Sequence, residues 1–190
     1  MSDQKIYWKQ FYENKPNIQK PSDFCFFIID YFKNIKNIKN VMDSGCGNGR
    51  DSNELSKIYN VTGVDNCGFI FDNKINFDYK IESFIDNDKT NYDLIYSRFT
   101  FHSITNNEQV IFLKTIPKNA YLAIEARSIK DMDNEVFFGK DHYRNYIDIE
   151  HLKKILYENN FQILYIEEGP NMAKYKDENN ICIRTICKKK

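Results

Sequence analysis

Net charge is the first thing this chain lacks: 27 lysines and arginines face 27 aspartates and glutamates across 190 residues. No global field draws it to nucleic acid or to an anionic membrane, so a charged partner has to be met by a local patch. Histidines number only three and cysteines five, an odd count without CxxC spacing. Neither a disulfide framework nor a zinc site is suggested, and no metal is expected. With seven glycines and four prolines there is no Gly/Ser/Pro-rich linker, and no internal repeat is visible. The length is one domain's worth, enough to bury a core unaided. No apolar run approaches the length of a membrane span, and Met1 leads into polar residues rather than a secretory signal. These absences predict a reduced, cytoplasmic protein with neither a membrane nor a nucleic-acid partner. Aromatics, by contrast, are plentiful: 13 Tyr, 15 Phe and a single Trp, Trp8. Such a bias accords with AT-rich coding sequence.

The pattern along the chain alternates strand and helix. Tyr7, Trp8, Phe11 and Tyr12 share one face of a short helix, and Ser22 is placed to cap a second helix over residues 23–33, apolar nearly all round and so expected to lie deep. Strands are predicted at 41–44, 61–65, 77–81, 92–97 and 120–126, with helices at 51–59 and 109–116. Thr105 and Glu108 have the spacing of a capping box ahead of the latter. Residues 127–147 read as a long polar, aromatic loop. Asp148 caps a helix carrying Ile149, Leu152, Ile155 and Leu156 on one face, and strands at 161–166 and 181–187 flank an insertion. The expected architecture is α/β, a doubly wound and mainly parallel seven-stranded sheet whose last two strands form an antiparallel edge hairpin. The chain is read as one domain: a helical cap at 1–34, a ligand-binding core at 35–126, and a substrate loop with edge strands at 127–190.

The strongest local signal is Val41-Met-Asp-Ser-Gly-Cys-Gly-Asn-Gly-Arg50. A strand runs into a turn with glycine at 45, 47 and 49 and then into a helix. Glycine there permits both a left-handed turn and close approach of a ligand to the backbone. Arg50 stands where a dinucleotide fingerprint has its third glycine, which disfavours a pyrophosphate at that helix start. Downstream, Asp65 ends the second strand, suited to hydrogen-bonding a ribose diol. The two together point to a nucleoside ligand.

On these residues the chain resembles the class I S-adenosylmethionine-dependent methyltransferases. Asp43-Ser-Gly-Cys-Gly-Asn-Gly49 looks like their first motif, Val64-Asp65 like the second, and Tyr92-Asp-Leu-Ile-Tyr-Ser97 like the fourth; Ser44 departs from the usual Leu or Ile. The resemblance implies S-adenosylmethionine as cofactor. It sets Asp43, Gly45, Cys46, Gly47 and the turn backbone at the methionine portion, Asp65 at the ribose and Asn66 beside the adenine. Glu82, Ser83 and Phe84 are candidates for the adenine edge, Ser97 faces the transfer centre, and Trp8 belongs to the cap over it. Arg50 or Asp51 either meets the cofactor's charged end or forms a surface ion pair.

For the acceptor, ligands of open α/β sheets bind beyond the carboxyl ends of the strands. That rule selects Arg98 and His102 after the fourth strand, Arg127 after the fifth, and His142, Tyr143 and Arg144 in the long loop. Three arginines around one rim suggest a small anionic substrate, a phosphate or carboxylate, with His102 or His142 as proton acceptor. The set of Pro21-Ser-Asp-Phe24, Ser97-Arg-Phe99, Glu125-Ala-Arg127 and Asp141-His-Tyr-Arg144 further resembles small methyltransferases of bacterial capsule and surface-polysaccharide pathways, some acting on phosphoramidate or sugar precursors. Two alternatives stand beside this reading. One is a non-catalytic partner that binds the same cofactor; the other is an NAD(P)-dependent oxidoreductase, against which Arg50 and the lack of a Ser-Tyr-Lys set both count.

Overall fold

Seven strands form a single sheet in the order β3-β2-β1-β4-β5-β7-β6. The computed structural model describes residues 2–14, 20–68, 75–132, 143–175 and 178–190. Strands β1 (Asn40–Ser44), β2 (Asn60–Val64), β3 (Asp78–Lys80), β4 (Leu94–Arg98) and β5 (Tyr121–Arg127) run parallel. Strands β6 (Phe161–Tyr175) and β7 (Glu178–Lys189) form an antiparallel hairpin that joins the sheet through β7. The doubly wound sheet with its antiparallel edge is therefore the one the alternation predicts.

Side-chain alternation divides the core between the two sheet faces. Met42, Ile95, Leu122 and Ile124 pack with α4 (Asn106–Thr115) and α5 (Ile149–Glu158). Val41, Leu94, Tyr96 and Ala123 pack with α2 (Asp23–Phe32) and α3 (Arg50–Leu55). Successive residues of one strand enter opposite layers because the strand period is two. Helix α4 starts with the full capping box: Thr105 Oγ1 accepts from the Glu108 N–H, and the Glu108 carboxylate accepts from the Thr105 N–H. Ser22 and Asp148 cap α2 and α5 as expected.

Two expectations change. Helix α2 is apolar all round yet buries only one face, through Phe24, Cys25, Ile28 and Phe32, while Phe26 is exposed. A single sheet layer reaches it from one side only. The segment read as an insertion between the last strands is the hairpin's own continuation, which carries two register shifts, one near Gly169. Cross-strand pairing resumes beyond each irregularity, a bend that sequence alternation does not reveal. The long loop after β5 opens with Ser128 bridging to Ile147 and a short 3-10 turn at Ile129–Asp131. No helix of the described residues is long and apolar enough to cross a membrane.

Candidate active site

The order of strands reverses between β1 and β4, both neighbours of one another at the centre of the sheet. Such a switch point opens a crevice at the carboxyl ends of the strands. A cavity of about 800 Å³ lies there, within the range of small-molecule sites and large enough for more than one modest ligand.

One end is built on the glycine turn. Gly45, Gly47 and Gly49 have φ of +72°, +54° and +70°, all in the left-handed region that glycine enters without strain. The turn is pinned to β2, since the N–H groups of Gly45 and Cys46 donate to the Val64 carbonyl. Asp65 braces it further: its carboxylate accepts from the N–H of Gly47 and of Cys67, each at 2.9 Å, while also lining the cavity. Asn66, Ser83 and Phe84 line the same end. Glu82 instead accepts from the Asn87 side chain and is absent from the cavity wall. Of the three adenine-edge candidates, Ser83 and Phe84 line the space and Glu82 does not.

Neighbours press closely on the turn. A β-carbon on Gly45 would lie 2.2 Å from Thr100 Cγ2, and one on Gly47 would meet the Tyr12 phenol. Helix α1 (Ser2–Glu13) thus covers the turn with Tyr12, beside Trp8 and Phe11 in the cavity wall. Burial pushes the Tyr12 hydroxyl above its ordinary value, and the Asp65 charge adds to that. Gly47 itself does not line the cavity, because Tyr12 lies over it.

Asp43, at the end of β1, is buried and accepts from Ser52 Oγ at 2.6 Å. Burial raises its carboxyl to about 7 against the Ser52 bond, with the charges of Asp51 and Asp65 adding to the rise. Asp51 is fully engaged in holding the elements together. It accepts from Ser22 N, Ser22 Oγ and Tyr96 Oη, each at 2.7 Å, tying α2, α3 and β4 at one point. Arg50 lines the cavity with its Nε 3.8 Å from Asp51. Ser97 is fully buried and shares a 2.7 Å hydrogen bond with Thr100, and it is Thr100 that reaches the cavity.

The other end is cationic. Arg98 Nε donates to one oxygen of the fully buried Glu125 at 3.0 Å, and Arg184 Nε donates to the other at 2.7 Å. One carboxylate therefore faces two guanidiniums, leaving a net positive charge behind the cavity wall. Burial pushes the Glu125 carboxyl up, opposed by both arginines. Among the described residues Arg98 donates only through Nε, so its two Nη groups remain for the cavity it lines. Arg127 differs: its Nη1 is 2.9 Å from the buried Asp131, an ion pair within the protein. Arg127 also lines the cavity.

His102 lies in the same wall and is nearly buried. Its Nδ1 accepts from the Arg127 backbone N–H at 3.1 Å. A backbone N–H only donates, so Nδ1 carries no proton and Nε2 carries it. Tyr143 and Arg144 line the cavity; His142 falls outside the described residues. Sequence reasoning missed Phe99, Met172 and Ala173, which complete this end. Phe99 carries the one available signal, lying next to Arg98 at the strand end, yet its φ of +57° is invisible in sequence.

Comparison with known proteins bears on the chemistry. A family model described as a methyltransferase domain matches residues 17–166. No curated protein sequence matches significantly. Among solved structures, a S-adenosylmethionine-dependent methyltransferase from Anabaena variabilis superposes with a TM-score of 0.71 at 16% identity, covering 98% of this chain and 95% of that one. One from Methanosarcina mazei gives 0.66 at 17% identity, over 85% and 96%. The 1,6-didemethyltoxoflavin-N1-methyltransferase of Burkholderia thailandensis, solved with its substrate and S-adenosylhomocysteine, gives 0.67 at 13% identity, over 88% and 77%. At these identities the superpositions speak to the fold.

Proposed function

Because the chain belongs to the methyltransferase-domain family, we propose that it transfers a methyl group from S-adenosylmethionine to a small anionic metabolite. The observation that carries this reading is the glycine turn at the switch point, with Asp65 braced against it at one end of the cavity and the unclaimed donors of Arg98 at the other. When bound, S-adenosylmethionine supplies an electrophilic methyl group on a sulfonium sulfur.

The residues present fit that cofactor. Gly45, Cys46 and Asn48 of the turn and the carboxyl of Asp43 suit its amino-acid portion, Asp65 its ribose, and Asn66, Ser83 and Phe84 its adenine. Asp43 favours an ammonium group, since a cation is the partner that lets a buried carboxyl ionise. The arginine end orients an anionic acceptor, and the aromatic cap of Tyr12, Trp8 and Phe11 excludes water. In this reading residues 1–34 are a cap, 35–126 the cofactor core, and 127–190 the acceptor side, within one cytoplasmic domain. The finer reading is O-methylation of a capsular or surface-polysaccharide precursor, which rests on the sequence likeness around Arg98, Arg127 and Arg144.

The test is thermal unfolding with ligands. S-adenosylhomocysteine raises Tm, a ligand at 100 times its Kd stabilising the native state by about 2.7 kcal/mol; NADH leaves Tm unchanged. A shift with NADH and none with S-adenosylhomocysteine refutes the proposal.

A further inference from the structure

We infer that Arg184, which is absent from the cavity wall, is a positioning residue for the acceptor: by occupying one oxygen of Glu125 it leaves both Nη groups of Arg98 to the cavity. The inference rests on the anionic-acceptor reading above and deepens it.

The arrangement begins in strand register. Arg98 on β4 stands opposite Glu125 on β5, and Glu125 stands opposite Arg184 on β7. The three side chains form one row across adjacent strands, where directly opposed charges of unlike sign attract. Glu125 is fully buried at the centre of the row, and burial favours its neutral form against the charges of Arg98 and Arg184. Its two oxygens are divided between them: Oε1 accepts from Arg98 Nε at 3.0 Å and Oε2 from Arg184 Nε at 2.7 Å. Two guanidiniums on one carboxylate leave a single net positive charge beside the cavity.

A carboxylate facing one arginine commonly takes it in a fork, with parallel bonds from two guanidinium nitrogens. Glu125 makes that fork with neither partner, because each oxygen has an arginine of its own. Without Arg184, Oε2 would be buried and lack a donor, which is a costly state. The nearest remedy is an Nη of Arg98, drawn out of the cavity into a two-bond fork. The remaining pair would also be neutral, so an anion would lose attraction as well as a donor. Arg184 is itself held in place: its Nη2 donates to the Met172 carbonyl, and its guanidinium lies 5.5 Å and 5.3 Å from the Phe24 and Phe27 rings of α2. The Phe99 ring, its centroid 4.4 Å from the Arg98 guanidinium carbon, steadies the opposite end of the row.

The experiment measures the rate at which phenylglyoxal modifies Arg98, followed by peptide mass spectrometry. The reagent's two carbonyls condense with the terminal nitrogens of an arginine whose Nη groups are accessible. Arg98 reacts in the free wild-type protein. In Arg184→Met its rate falls about tenfold, the effect of one charge-assisted hydrogen bond. A merely structural Arg184 gives the opposite sign, because loosening exposes Arg98 to the reagent. Arg184→Lys, which keeps a donor and a charge for Oε2, stays within about threefold of wild type. Adding Glu125→Gln to Arg184→Met restores the rate, since a carboxamide has one accepting oxygen and cannot close the fork. Should Arg184→Met not fold, Arg184→Gln lowers the rate in the same direction by about threefold, an uncharged amide holding Oε2 less firmly. An unreactive wild-type Arg98, a rate unchanged or raised without Arg184, or no recovery in the double variant overturns the inference. These rates are read without cofactor, so failure of S-adenosylhomocysteine to bind overturns the methyltransferase reading and leaves the measured donor arrangement standing.

Discussion

The phenol of Tyr12 occupies the space a side chain on Gly47 would need: a β-carbon there would stand 2.2 Å from Oη and 2.3 Å from Cζ. The contact joins the N-terminal helix to the glycine turn, and it makes the two residues energetically dependent. Gly47→Ala carries a left-handed penalty of roughly 1–2 kcal/mol and a clash as well. In a Tyr12→Ala background the clash disappears and only the penalty stays. Denaturant unfolding of the four variants therefore gives a coupling energy of at least about 0.5 kcal/mol. Additive effects would show that the helix does not rest on the turn.

If the same helix covers bound ligand, Tyr12→Ala releases S-adenosylhomocysteine faster, by about tenfold, the loss of one well-packed aromatic contact. Stopped-flow displacement measures this. An unchanged release rate would assign Tyr12 to packing alone.

Asp43 makes the free protein sensitive to pH. Its carboxyl is raised to about 7, whereas an unfolded aspartate titrates near 3.9. The native state therefore holds a proton that the unfolded chain has lost between those values, and stability falls as pH rises through about 7. Asp43→Asn, measured by urea unfolding from pH 5 to 8, flattens this slope. S-adenosylhomocysteine carries an ammonium that favours the ionised carboxyl, so its affinity rises over the same interval. A slope identical in wild type and Asp43→Asn would place the titration elsewhere.

The buried ion pairs separate structure from substrate handling. Glu125→Ala leaves two guanidiniums facing one another, and Arg127→Ala removes the guanidinium that pairs with the buried Asp131 carboxylate. Breaking a buried pair costs about 3–5 kcal/mol, so both variants lose that much unfolding free energy. Arg98→Ala and Arg144→Ala, by contrast, lower turnover efficiency once an acceptor is known and leave S-adenosylhomocysteine affinity nearly intact. Wild-type efficiency in both would count against an anionic acceptor.

The cofactor end was legible in the sequence because its signals are local. Three glycines in five residues permit a left-handed turn, Asp65 follows at the end of the next strand, and Thr105 with Glu108 spells out a cap. Backbone conformation and hydrogen-bond chemistry decide each of these within a few neighbouring residues. The strand and helix alternation was legible for the same reason, since side-chain period follows from local geometry. The acceptor end was only partly so. Its cationic residues stood out singly, but which arginine is neutralised depends on Asp131, which nitrogen of His102 bears the proton depends on the Arg127 N–H, and what walls the space depends on a bend in the hairpin that brings Met172 to Phe99. Those are pairings between segments distant in the chain, and tertiary packing alone determines whether a charged or aromatic side chain faces a partner or a cavity.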